Sequence, residues 1–190
     1  MTNFSSADLS VVKAAARKAA FARRKVAFET AEPGQSAYLS AFLAGYRGVP
    51  LAGYLPIRTE IDPRAAMAEA AAYGPVGVPV IEGAGLPLKF SSWQPAGPLR
   101  AGPFGAQVPL EDVFFEPEIV IVPLVAFDAQ GGRLGYGGGF YDRTLEMLRA
   151  HRPTLAVGFA FDAQEADSLP LEPTDQPLDL IITESGVHSF

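Results

Sequence analysis

The stretch VPLVAFDAQGGRLGYGGGFYDRTLEML, residues 122–148, decides how this chain is read. It opens in the last part of an apolar run, EIVIVPLVAF (118–127), and then places four glycines within positions 135–139. Aromatic and charged residues follow at once, and the sequence continues as a helix former. The order is strand, glycine loop, helix. Continuous β-branched runs such as IVIV belong to strands buried on both faces, the mark of a parallel sheet. Glycine is costly to order, so a cluster of it implies a backbone that must stay bare. In a parallel sheet the loop after a strand lies at the carboxyl edge, where ligands bind. Bare N–H groups can converge on an anion there, and the positive end of the next helix adds to the attraction. Phosphate binding is one reading; a turn made tight only for packing is the other. Arg133, Asp142 and Arg143 flank the glycines and favour the first. Gly138 is expected to take a positive φ that a β-branched residue resists. The common phosphate fingerprints fail: GxxxxGK followed by Ser or Thr is absent, and GxGxxG counted from Gly135 meets Phe140 at its last position.

Working outward, strands and helices keep alternating. SSADLSVVKAAARKAAFARRKVAF (5–28) reads as a first helix, with Ser5 and Asp8 at capping-box spacing. Lys13 and Arg17 share one face of it, and Arg24 falls near the same stripe. GQSAYLSAFLAGY (34–46) is a second helix and VPLAGYLPI (49–57) a short buried strand. DPRAAMAEAAAYG (62–74) is a third helix, with Asp62 as N-cap, Pro63 at the first helical position and Gly74 at the C-cap. VGVPVI (76–81), LKFSSW (88–93), TLAVGFAF (154–161) and DLIIT (179–183) are further strands, and GFYDRTLEMLRAHR (139–152) is the last helix. QPAGPLRAGPFGAQVP (94–109) reads as a loop long enough to carry function. The expectation is an α/β fold: a single domain over 1–190, three-layer α/β/α, with a mostly parallel open sheet.

Composition narrows the function classes. A net charge of −6 argues against a nucleic-acid partner, although a loop can gather cations that the total hides. With no cysteine there is no disulfide framework and no thiolate chemistry. The longest apolar run, IVIVPLVAF, is far short of the ~20 residues that span a membrane. The basic cluster in FARRKVAFE (21–29) lacks the apolar core of a signal peptide. The expectation is a cytoplasmic monomer that handles small molecules.

These blocks resemble the 5-formyltetrahydrofolate cyclo-ligase family, also called methenyltetrahydrofolate synthetases. VPLVAFDAQGGRLGYGGGFYDRTL is close to the family signature PxxxFDxxGxRLGxGxGYYDxxL. The resemblance extends to Lys13 and Arg17, to YLPIRTEID (54–62), to LKFSSWQPAGPLRAGPFG (88–105) and to EPTDQPLDLIITE (172–184). It implies ATP-dependent closure of 5-formyltetrahydrofolate to 5,10-methenyltetrahydrofolate, with release of ADP and phosphate. It also implies ATP contacts from Lys13, Arg17, Arg133, Leu134, Gly135, Tyr136, Gly137, Gly138, Gly139, Phe140 and Tyr141, among which Arg133 and Tyr141 are catalytic. Folate contacts are implied for Leu55, Glu60, Tyr136, Gly137, Gly138, Gly139 and Phe140, and Mg²⁺ is implied between Asp142 and Asp175. Phe90 and Trp93 could face a flat ring or pack in the core. Topology opposes the metal pairing, because a segment that enters a parallel strand normally lies at the edge opposite the ligand crevice. The pairing requires the Asp175 segment to reach over to the glycine loop. Some family members carry Arg and Lys where this chain has Tyr136 and Gly138, and Tyr is commoner than Phe140. The alternative is therefore a catalytically weak nucleotide- or folate-binding module on the same scaffold.

Overall fold

The computed structural model describes residues 6–190. The capping pair read at Ser5 and Asp8 lies outside the side chains it describes. Helix α1 spans Ser6–Glu29, α2 Ala37–Leu43, α3 Arg64–Ala71 and α4 Phe140–His151. The strands are β1 Leu51–Ala52, β2 Val76–Val80, β3 Lys89–Ser92, β4 Leu99–Ala101, β5 Gln107–Pro109, β6 Phe114–Phe115 and β7 Ile119–Pro123. They continue with β8 Ala126–Asp128, β9 Arg133–Leu134, β10 Leu155–Phe159, β11 Glu165–Ala166, β12 Leu180–Ile182 and β13 Val187–Ser189. Among the described residues, no helix is long and apolar enough to cross a membrane.

The central sheet has eight strands in the order β13-β12-β10-β7-β1-β2-β3-β6. Strands β12, β10, β7, β1 and β2 are mutually parallel, and the edges are antiparallel. Alternate residues enter opposite layers, as the period of two requires. Ile119, Ile121 and Val157 pack with Leu39, Leu43 and Met67 of α2 and α3. Val120, Val122 and Ala156 pack with Leu145 and Leu148 of α4 on the other face. The α/β/α reading therefore holds, and the IVIV run is buried on both sides.

The sheet order locates the ligand crevice. From β1 the chain proceeds outward to β2 and β3, whereas from β7 it proceeds the other way to β10 and β12. The neighbours β1 and β7 thus flank the topological switch point, and ligands bind beyond the carboxyl ends of such strands. The glycine segment follows β7 by way of β8 and β9, and Glu60 follows β1.

Several boundaries differ from the sequence reading. The run 118–127 divides into β7 and β8 at Pro123, which has no N–H to donate to a ladder. The segment 94–109 is in part a β4–β5 hairpin, closed by a turn at Pro103–Gly105 with φ of 59° at Phe104 and 80° at Gly105. Its prolines and glycines conceal the strand pattern. Helix α3 starts at Arg64 with Pro63 in the cap position, and Asp62 instead accepts the Arg64 N–H at 2.9 Å. Gly74 is absent from the positive-φ glycines, so it is no left-handed cap.

Candidate functional site

The glycine segment is fixed at both ends. At its start, Asp128 accepts the Gly132 N–H at 2.8 Å and the Gln130 N–H at 3.1 Å, which makes the tight turn between β8 and β9. At its end, α4 begins at Phe140, with Asp142 in its first turn. Between them the backbone takes φ of +100° at Gly137 and +63° at Gly139. Gly138 does not share this geometry, contrary to expectation; a Cβ there would instead meet the Phe140 ring at 2.9 Å. Arg143 folds back over the segment and donates to the Gly138 carbonyl at 2.7 Å.

Helix α1 crosses this edge and presents cations to it. Arg17 Nε donates to the Gly135 carbonyl at 2.9 Å. Lys13 Nζ donates to Glu172 Oε2 at 2.7 Å and to Asp175 Oδ2 at 2.8 Å. Burial opposes the charge on Lys13, but the two carboxylates outweigh it and raise its pKa above 10.5. Arg133 is buried, pairs with Asp142 at 2.5 Å, and has an Nε with no hydrogen-bond partner among the described residues. Burial lowers the Arg133 pKa, and Asp142 opposes that shift. An orphaned donor on a buried cation beside bare backbone suits an anionic ligand.

The Asp175 segment does reach the glycine loop. The Gln176 N–H donates to Asp142 Oδ1 at 2.9 Å. From there the chain runs along α4: Arg149 donates to Gln176 Oε1 at 3.2 Å, to the Pro177 carbonyl at 3.0 Å and to Asp179 at 2.9 Å. Helix α4 runs from the carboxyl edge of the sheet to its amino edge. Tethered to it, residues 175–179 cross the depth of the sheet before entering β12 at Leu180, which removes the topological objection. Asp142 and Asp175 therefore lie close together. Among the described residues, hydrogen bonds occupy Oδ1 of Asp142 and Oδ2 of Asp175. Mg²⁺ usually takes one or two carboxylates and completes its shell with phosphate oxygens and water. The pair fits that demand, and among the described residues no larger acidic or histidine cluster would hold a metal alone.

Across the crevice, the segment after β1 carries Leu55 and Glu60. Glu60 is 5% exposed, and its Oε2 accepts the Ile57 N–H at 2.8 Å. Burial raises its pKa above 4.5, and the Ile57 N–H and nearby Arg24 limit the rise. Tyr141 bridges the two sides electrostatically: burial and Glu60 push its hydroxyl pKa up, and Arg133 pulls it down. It remains a protonated donor at neutral pH. The tip of the β4–β5 hairpin approaches the start of α4. Phe104 at that tip is 74% exposed, and its ring lies 6.3 Å from that of Phe140.

The family profile of 5-formyltetrahydrofolate cyclo-ligases matches residues 13–184. The chain belongs to this family. A Mycolicibacterium smegmatis cyclo-ligase is 30% identical over 90% of this chain and 93% of its own length. The Escherichia coli (strain K12) cyclo-ligase is 51% identical, but the match spans 38% of this chain and only 40% of that relative. Among solved structures, the Aquifex aeolicus 5,10-methenyltetrahydrofolate synthetase has a TM-score of 0.74 at 28% identity, covering 94% of this chain and 92% of that one.

On this cyclo-ligase scaffold the structure brings together Lys13, Arg17, Arg133, Asp142 and Asp175 on one side of the crevice, with Glu60 and Tyr136 on the other. Leu134 is buried behind the segment and packs with Ala20 of α1, so any ligand contact there falls to its backbone. Phe90 and Trp93 pack in the core, 2% and 4% exposed. Two participants carried no readable role. Gln176 contributes only its backbone N–H. Arg24 had a position on the helix stripe but no partner that sequence could name.

Proposed function

We propose that this chain catalyses the ATP-dependent closure of 5-formyltetrahydrofolate to 5,10-methenyltetrahydrofolate. The formyl oxygen attacks the γ-phosphorus of ATP, the bond to ADP breaks, and an imidate-type phosphate forms. The folate N10 then attacks the formyl carbon, the carbon–oxygen bond to phosphate breaks, and the N10 proton leaves with phosphate. Such transfer needs positioning and charge neutralisation more than covalent help.

The residues divide accordingly. Lys13, Arg17, Arg133 and the backbone from Leu134 to Gly139 hold the nucleotide phosphates. Tyr141 donates its hydroxyl proton in a hydrogen bond to the oxygen in transfer, and Arg133 neutralises the charge that develops there. Glu60 accepts paired hydrogen bonds from the amino-pyrimidine edge of the pterin. Leu55, Tyr136 and Phe140 line the ring, with Gly137, Gly138 and Gly139 leaving it room. Asp142 and Asp175 would hold Mg²⁺, which supplies positive charge at the phosphates.

The observation that carries this reading is one switch point flanked by two unlike halves. One half is bare backbone beside a buried arginine whose Nε has no partner among the described residues; the other is a desolvated carboxylate. The test is direct. Purified protein with 5-formyltetrahydrofolate, ATP and Mg²⁺ is expected to form the methenyl chromophore in the near ultraviolet, with one ADP per product. Product formed equally well without nucleotide would reject the proposal.

A further inference from the structure

Arg24 is 0% exposed, the most thoroughly buried cation of α1. It donates to Tyr136 Oη at 2.7 Å, to Thr59 Oγ1 at 3.1 Å and to the Leu124 carbonyl at 3.3 Å. Its guanidinium also lies 5.1 Å from the Phe21 ring centroid and 5.4 Å from that of Tyr136. These contacts join α1 to the glycine segment, to the residue before Glu60, and to the backbone just after β7. The glycine segment has no cation of its own between Arg133 and Arg143. Arg24 brings one to Tyr136 from beneath.

A buried guanidinium is expensive to keep unless each donor has a partner. Hydrophobic burial alone would be served by leucine at this point on the helix. What arginine adds is direction: three bonds to three segments fix their separation. We propose that Arg24 is a positioning residue of the folate site, holding the Tyr136 hydroxyl and the Glu60 carboxylate so that both meet one substrate.

The inference rests on the proposed ring closure, because it assigns the Glu60 side to folate. Glu60 is faced by Arg24 from α1, by Arg58 and Tyr54 from its own segment, by Tyr136 from the glycine segment and by Tyr141 from α4. Arg24 favours the ionised carboxylate, so its removal should push the Glu60 pKa further up.

Arg24→Met and Arg24→Lys are titrated with 5-formyltetrahydrofolate and, separately, with ATP across the acidic to neutral range. The Met variant is expected to weaken folate binding about 10- to 100-fold, with ATP affinity close to wild type. The acid limb of its folate-binding profile should move to higher pH, and Lys should recover part of both effects. Tyr136→Phe should weaken folate binding less in the Met background than in wild type, because both act through one contact. An acid limb that stays in place, or folate and ATP affinities that fall together without rescue by Lys, overturns the role. If the Met variant does not fold, the Lys variant and Tyr136→Phe decide, since Tyr136 is 38% exposed and removing its hydroxyl opens no cavity. Wild-type protein that binds no 5-formyltetrahydrofolate removes the functional reading and this inference together. Wild-type binding with unaffected Arg24 variants removes only the role of Arg24.

Discussion

Asp142→Asn separates the structural role of one carboxylate from the metal role proposed for it. Its structural role is the ion pair with Arg133, whose side chain is 4% exposed against 24% for Asp142. Asparagine keeps a carbonyl oxygen for the Gln176 N–H but leaves the guanidinium without its anion. Removing one partner of a buried pair costs about 3–5 kcal/mol. Water reaches Asp142, so screening reduces this to about 2–3 kcal/mol. With an m-value of about 2–3 kcal/mol/M in urea, the unfolding midpoint should fall by about 1 M. Asp175→Asn should be milder, about 1 kcal/mol or less, because Lys13 retains Glu172. The metal role gives a different pattern: both variants raise the free Mg²⁺ needed for turnover, and the double variant costs less than the sum. Urea unfolding followed by circular dichroism without ligand reads the first role. Turnover against free Mg²⁺, well below the unfolding temperature, reads the second. Equal stability losses in the two single variants would refute the worth assigned to the Arg133 pair. Unshifted Mg²⁺ curves in both would remove Asp142 and Asp175 from the metal site.

Glu60→Gln should weaken folate binding about 10- to 100-fold and ATP binding little; equal damage to both in calorimetric titrations would count against the pterin role. The same substitution bears on pH dependence. A carboxyl whose folded pKa is raised contributes stability that is present below its unfolded value of 4.5 and is lost as pH rises through the folded one, so Glu60→Gln should flatten that part of the stability profile. Gly137→Ala should weaken ATP binding about tenfold, because alanine at a left-handed φ costs about 1–2 kcal/mol and the loop would move to relieve it. Its Cβ would also lie 3.3 Å from the Arg17 guanidinium carbon. Gly138→Ala should disturb folate more than ATP, because its Cβ displaces the Phe140 ring, and equal losses of ATP affinity in the two variants would argue against this division.

How much of this was legible depended on the kind of signal. The buried parallel sheet was readable because IVIV and LAVGF are continuous apolar strands. The helix after the glycines was readable because its stop and start residues are unambiguous. The β4–β5 hairpin was not, since Pro98, Gly102, Pro103 and Gly105 hide a strand pattern of three residues on each side. The glycine cluster announced a bare backbone but not which glycine is left-handed; that follows from how the turn at Gly131 and the start of α4 fix the ends. Asp175 was placed by the family resemblance against the argument from topology. What carries the segment to the glycine loop is Arg149, whose tethers along α4 no local pattern reveals.

The docking of α1 explains why such tethers escape sequence reading. Its inward stripe is Lys13, Arg17, Ala20 and Arg24, while Val11 and Val26 face outward at 70% and 61% exposure. Hydrophobic periodicity would therefore assign its buried face wrongly. The inward cations reach three segments between them: Lys13 ends on Glu172 and Asp175, Arg17 on the glycine segment, and Arg24 on both the glycine segment and Thr59. A polar contact contributes less net stability than a comparable area of apolar burial, but it is directional. The helix is thus attached in a way that sets the spacing of three loops rather than one that maximises burial. The same arrangement reconciles a net charge of −6 with the phosphate ligand proposed here. The positive charge is gathered along one helix and one loop, and the long axis of α1 carries it across the switch point.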